Sequence, residues 1–161
     1  MRRFIGTLQW ARKCVTINDA PFDPDEFPWL KEIAETIDSV RGGAFMLKFP
    51  PQVFKSLFGQ LHLARCVAVE PCPSLWYAVT GAEAGTFSDS KLSRLLETCP
   101  PIQRKRFIDP DNRGGKTIFK QPDMVFEMLG ADNQNHRNSK SARNIYLDES
   151  WQYEPGALAE I

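Results

Sequence analysis

The chain has 161 residues, 42% of them hydrophobic and 25% charged, which is enough for one ordinary domain that buries about 70% of its unfolded surface without disulfides or metals. Twenty Lys and Arg balance twenty Asp and Glu, which excludes a wholly basic nucleic-acid coat and confines any DNA contact to a local patch. No apolar run approaches the roughly 20 residues of a membrane span, and the basic start lacks a signal-peptide apolar region.

Residues 1–18 carry Arg2, Arg3, Arg12 and Lys13 and no acid. They read as a basic N-terminal arm, followed by an acidic entry segment that opens a domain over 19–161. Trp29, Leu30, Ile33 and Ile37 recur at helical spacing, so 28–38 is predicted as an amphipathic helix with Pro28 in its first turn. The apolar run AFMLKF (44–49) reads as a buried strand, stopped by Pro50-Pro51. A helical pattern runs from Lys55 through Leu57, Phe58, Leu61, Ala64 and Val67 to the stop at Pro71. LWYAVT (75–80) is predicted as a second buried strand, and 84–98 as a second helix closed by Pro100-Pro101. Residues 102–117 read as irregular. TIFKQ and MVFEML flank Pro122-Asp123 as a hairpin, 131–142 is a polar loop, and NIYLDE (144–149) is a strand ending in two carboxylates. Strand, helix, strand, helix and further strands predict an α/β layer with a mainly parallel sheet and flanking helices. Cys14, Cys66, Cys72 and Cys99 form no C-x-x-C pair, and the only histidines are His62 and His136. No zinc spacing results, and the cysteines read as reduced thiols of a cytosolic protein.

Two segments could carry chemistry. FPPQVFKS (49–56) lies between a predicted strand and a predicted helix, the context of a phosphate-binding loop. In the pattern G-x-x-x-x-G-K-[ST], backbone N–H groups and a helix N-terminus cradle phosphates, the Lys reaches the β- and γ-phosphates, and the hydroxyl holds Mg²⁺. Lys55 and Ser56 fill the last two positions, while Phe49 and Phe54 occupy the glycine positions. A Lys-Ser pair opening an amphipathic helix is equally a solvated structural feature when read alone. The second segment is IYLDE (145–149), an apolar strand whose carboxyl end presents Asp148 and Glu149. An acid there can hold a metal, and the next can polarise an attacking water. A solvated turn is the structural alternative. The order of the two segments, each on its expected element, predicts a P-loop NTPase layer. A basic stretch through Arg104, Lys105, Arg106, Arg113, Lys116 and Lys120 could track a DNA backbone or form a solvated loop.

In these residues the chain resembles the large terminase subunit of tailed phages, the lambda-like branch that packages DNA into capsids. The resemblance runs over roughly 19–161 in four blocks. FPWLKEI (27–33) resembles the entry motif, and MLKFPPQVFKS (46–56) the variant Walker A loop. WYAVTGAEAGTFSDSKLSRLLETCP (76–100) resembles the next strand and helix, and MLGADNQNHRNSKSARNIYLDESWQY (128–153) the polar loop and Walker B strand. The family is an ATPase motor with a nuclease domain after the ATPase part, so the resemblance implies ATP and Mg²⁺ as cofactors. By position, Gln52, Val53, Phe54, Lys55 and Ser56 would bind the nucleotide, Ser56 and Asp148 the metal, and Lys55 and Glu149 would be catalytic. Trp29 would lie toward the adenine or else in the core. The implied partners are double-stranded DNA, a small terminase subunit, the capsid portal and further copies of the chain, in the host cytoplasm and away from membranes.

Three positions depart from the family pattern. Phe54 replaces the glycine before the lysine, which would cost roughly 1–2 kcal/mol if that residue needs a positive φ, so weakened nucleotide affinity is expected. Lys48 lies one place earlier than the basic residue that begins many family loops, and Leu30 stands where some relatives carry Gln. The sequence stops 12 residues after Glu149. The expectation is therefore an ATPase part truncated after the Walker B strand, with the nuclease domain absent. The rival expectation is a hydrolysis-deficient remnant that keeps the fold and binds DNA or terminase subunits.

Overall fold

The computed structural model describes residues 5–40, 42–48, 55–107, 116–119, 124–137 and 141–161. Helix α1 (Thr7–Cys14) has no acid in its first turn. Its start is capped from outside: Thr7 N–H and Thr7 Oγ1 donate to the two Asp38 carboxylate oxygens at 2.6 and 2.7 Å. A carboxylate at that end satisfies an orphan donor and complements the helix dipole. A short hairpin follows, β1 (Thr16–Ile17) against β2 (Ala20–Pro21), and then a 3₁₀ turn at Pro24–Glu26. Arg12 ties the two together through Asp23, at 2.6 Å, and Asp25. Among the described residues of this first segment, Leu8, Trp10, Ala11 and Val15 lie inside the main core. Arg65 Nε, buried, donates to the Ile5 carbonyl at 2.6 Å.

Helix α2 (Trp29–Ser39) follows Pro28 as its pattern predicts and buries Leu30 and Ala34. Over 44–48, the described part of the strand expected at 44–49, no strand forms. Residues 43–48 have no regular structure and lie exposed, with Met46 90% accessible, and Phe49 lies outside the described residues. An apolar run is a strand only where a neighbouring backbone pairs with it, and no described strand takes 44–48 into its ladder.

Helix α3 (Lys55–Val69) spans the predicted helix. Lys105 Nζ donates to the carbonyls of Val67 and Ala68 at its end. One cation of the basic stretch is therefore a helix C-cap rather than a free DNA contact. Strand β3 (Ser74–Ala78) is buried at all five positions.

The helix predicted over 84–98 starts three residues early, at Gly81, because Thr80 caps it by accepting from Glu83 N–H at 3.2 Å. It runs as α4 (Gly81–Phe87), a π turn at Ser88–Leu92 and α5 (Ser93–Thr98). Pro100 and Pro101 close it and also open α6 (Pro100–Gln103), since proline at a first helical turn forfeits no hydrogen bond. Part of the stretch read as irregular is therefore ordered: β4 (Arg106–Phe107) pairs antiparallel with β5 (Lys116–Phe119), and β5 with β6 (Met124–Gly130) as the predicted hairpin. A single turn, α7 (Gln134–Arg137), precedes β7 (Asn144–Leu147). A 3₁₀ turn at Ser150–Gln152 and α8 (Ala157–Glu160) end the chain.

The main sheet has the order β4-β5-β6-β3-β7. Its core is parallel: β3 lies between β6 and β7, with Ala78 opposite Gly130 and Tyr77 opposite Leu147. The α/β layer expected from the sequence is present. One sheet face, with Trp76, Ala78, Phe126 and Met128, packs on the helices. The other, with Leu75, Tyr77, Leu129 and Ala131, is covered by Ala142, Tyr153 and Ile161. On β7, Ile145 and Leu147 remain about two-fifths exposed. All four cysteines are free thiols, and burial pushes Cys66 and Cys99 up to about 11.

An aromatic column joins α3 to the sheet. Trp76 stacks between Phe87 and Tyr146, with centroids 5.0 and 5.1 Å away. The Tyr146 hydroxyl meets His62 Nδ1 at 2.9 Å. Burial lowers the His62 pKa below its ordinary 6.5. Folded His62 thus takes up its proton at lower pH than the unfolded chain does. This favours the unfolded state in acid, so stability is full above about pH 6.5 and declines below it. Thermal unfolding should therefore occur at lower temperature at pH 5.5 than at 7.5, by a smaller margin in His62→Asn. An equal margin in both chains would remove His62 from the account.

Candidate functional site

The parallel strands end together, so whatever follows β3, β6 and β7 gathers at one edge of the sheet. This carboxyl edge is where open α/β sheets bind ligands. After β7 comes Asp148, whose N–H donates to the Tyr77 carbonyl at 3.0 Å and so extends the β7–β3 ladder by one bond. Helix α3 begins at Lys55, and its second residue reaches the same place. Ser56 Oγ donates to Asp148 Oδ2 at 3.0 Å across 92 positions of sequence.

Gly59 explains how α3 comes so near. It sits one turn after Ser56, over the buried Trp76 ring. A Cβ there would lie 2.8 Å from Trp76 Cη2 and 3.8 Å from Tyr146 Cδ1. The missing side chain lets α3 rest directly on the rings of β3 and β7, one turn from Ser56. The first turn of α3 carries no acidic residue of its own, and the Asp148 carboxylate at Ser56 brings an acid to the positive end of this fifteen-residue helix.

Glu149 follows at once in a left-handed conformation, φ 54 and ψ 36. Its Oε2 accepts from Gln152 Nε2 at 2.6 Å. Tyr153 closes the turn by donating its hydroxyl to the Tyr77 carbonyl at 2.8 Å. Burial, with help from Asp148, holds the Tyr153 hydroxyl well above the usual tyrosine range, so it remains a donor. On the neighbouring strands, Asp132 Oδ1 accepts from Gly81 N–H at 3.2 Å and pins the start of α4 to the end of β6.

Among the residues singled out by sequence, Ser56 and Asp148 meet, Glu149 stands next to them, and the Lys55 backbone opens the helix. Gln52, Val53 and Phe54 lie outside the described residues. Trp29 sits at the start of α2, edge-on to Phe27 at 5.8 Å, and Phe27 stacks on the buried Phe22. Nearer the end of the chain, Arg143 pairs with Glu70 at 2.8 Å and Arg137 is buried against Glu160 at 3.0 Å. Three participants escaped the sequence reading: Gly59, Gln152 and Tyr153. A lone glycine inside a helical pattern is a sign of close packing, so Gly59 had a signal. Gln152 and Tyr153 had none.

The arrangement fits a nucleotide and its metal. Ser56 and Asp148 offer a hydroxyl and a carboxylate side by side, the hard oxygen donors that Mg²⁺ takes while keeping water and phosphate in its other positions. An all-protein cage is not required, and among the described residues no group of three or more His, Cys, Asp or Glu could hold a metal. Among the same residues no helix is long and apolar enough to cross a membrane.

Comparison with known proteins identifies a family. The family model for "Phage terminase large subunit gpA, ATPase domain" matches residues 17–160. No curated relative and no solved structure matches the chain. The match spans nearly the whole chain, including α3, the parallel strands and the turn after β7, and the chain belongs to the phage terminase large subunit gpA family, over its ATPase domain.

Proposed function

We propose that this ATPase module hydrolyses ATP and couples the cycle to moving double-stranded viral DNA into a capsid. The observation that carries the reading is the Ser56 Oγ–Asp148 Oδ2 contact at 3.0 Å. It joins the two segments that the chemistry needs, at the carboxyl edge of a parallel sheet. Lys55 and the first N–H groups of α3 bind the terminal phosphates, together with the loop residues Gln52, Val53 and Phe54. Ser56 and Asp148 would hold Mg²⁺, which would supply charge neutralisation to the phosphates when bound. Glu149 accepts a proton from the attacking water, and Lys55 stabilises charge on the transferred phosphoryl group.

In this reading residues 19–161 are the ATPase layer, and 1–18 are the basic arm that precedes it. The working assembly contains several copies, a small DNA-recognising subunit and the capsid portal, in the host cytoplasm. Arg104 and the cations beyond it are the candidate DNA contacts, Lys105 excepted.

A titration with a fluorescent ATP analogue tests the site. Binding should require Mg²⁺, and Asp148→Asn should weaken it about tenfold, since a neutral amide is a poorer ligand for a hard dication. Equal affinity with and without Mg²⁺, unaltered in Asp148→Asn, would sink the metal assignment.

A further inference from the structure

The turn that carries Asp148 and Glu149 is closed on itself. The Asp148 N–H and the Tyr153 hydroxyl enter from its two ends, and both donate to the single carbonyl of Tyr77, at 3.0 and 2.8 Å. Two donors engage both lone pairs of that oxygen. Between these anchors Glu149 has a positive φ of 54, which non-glycine residues rarely adopt. Such a conformation persists only where its surroundings over-determine it. Gln152 supplies the rest of the constraint by gripping Glu149 twice. Its backbone N–H donates to the Glu149 carbonyl at 2.8 Å, and its side-chain amide donates to Glu149 Oε2 at 2.6 Å.

We propose that Gln152 is a positioning residue for Glu149, fixing the direction of the carboxylate that accepts the water proton. The inference rests on the role given to Glu149 above. A free glutamate side chain has three rotatable bonds and would spread its carboxylate over many places. A general base has to stay within hydrogen-bond reach of the proton it takes, and a displacement of about 1 Å can cost roughly 100-fold in rate. The amide of Gln152 removes that freedom by holding one oxygen. It does so from the exposed side of the turn, so replacing it leaves the core untouched.

The test uses Gln152→Ala, Gln152→Glu and Gln152→Lys in the full chain. Single-turnover hydrolysis, affinity for a non-hydrolysable ATP analogue with Mg²⁺, and NMR side-chain couplings at Glu149 without nucleotide are measured for each. Gln152→Ala and Gln152→Glu should slow hydrolysis about tenfold or more, leave analogue affinity within about twofold, and let the Glu149 side chain average over several rotamers. Gln152→Lys keeps a donor and should recover most of the rate and the single rotamer. A merely structural residue would not separate rate from affinity in this way. Parental hydrolysis in Gln152→Ala and Gln152→Glu, or a single Glu149 rotamer retained in both, would overturn the proposal. A parent chain that binds no ATP would defeat the ATPase reading instead, and the couplings alone would then decide the role of Gln152.

Discussion

Glu149→Gln should bind MgATP as tightly as the parent and hydrolyse it roughly 100- to 1,000-fold more slowly. The substitution keeps length, shape and an acceptor oxygen, so the hydrogen bond from Gln152 and the closed turn survive. What it removes is the capacity to take a proton at neutral pH. Lys55→Ala should act on an earlier step. It deletes a positive charge from the residue that opens α3, where in the proposed mechanism the helix N-terminus and the ammonium would act together on phosphate. Both binding and hydrolysis should fall in that chain. Analogue titration and phosphate release, measured on the same three preparations, separate the outcomes. Parental hydrolysis by Glu149→Gln would place the base elsewhere. If neither substitution alters binding or turnover, the hydrolysis-deficient reading of the chain replaces the enzyme.

The parts of this site that the sequence made legible are those with local causes. Helix α3 announces itself by its apolar spacing and the prolines that bound it. Strand β3 is a short run buried on both faces. Asp148 and Glu149 stand out because two acids follow an apolar strand. The parts that stayed hidden depend on partners far along the chain. AFMLKF has strand composition, yet a strand is a pairing, and residues 44–48 join no described ladder. Arg106 and Phe107 look like loop residues but pair with Phe119 and Ile118. Lys105 reads as one of several cations and becomes a cap only because α3 ends beside it. The clamp of Gln152 on Glu149 is local in sequence, but nothing in the residue types marks it before the positive φ at Glu149 is known.

Gly59→Ala should show that the approach of α3 to the sheet is what assembles the site. The added Cβ would lie 2.8 Å from Trp76 Cη2 and 3.2 Å from Cζ3. A flexible side chain could yield, but this ring is 2% exposed and stacked on both faces, by Phe87 and Tyr146. The helix must therefore lift. Overpacking of this kind costs about 1–3 kcal/mol, offset in part by the roughly 1 kcal/mol by which alanine favours a helix over glycine. Ser56 lies one turn before Gly59, so the same lift draws Ser56 Oγ away from Asp148 and should weaken MgATP binding along with stability. Gly85 in α4 provides the comparison, because a Cβ there meets nothing within 4 Å. Gly85→Ala should raise stability by about 0.5–1 kcal/mol and leave nucleotide affinity alone. The same chemical change thus has opposite signs at two helical glycines, and denaturant melts with analogue titrations on both variants measure it. A Gly59→Ala chain as stable as Gly85→Ala, binding MgATP like the parent, would mean that the contact between α3 and Trp76 does not set the distance from Ser56 to Asp148.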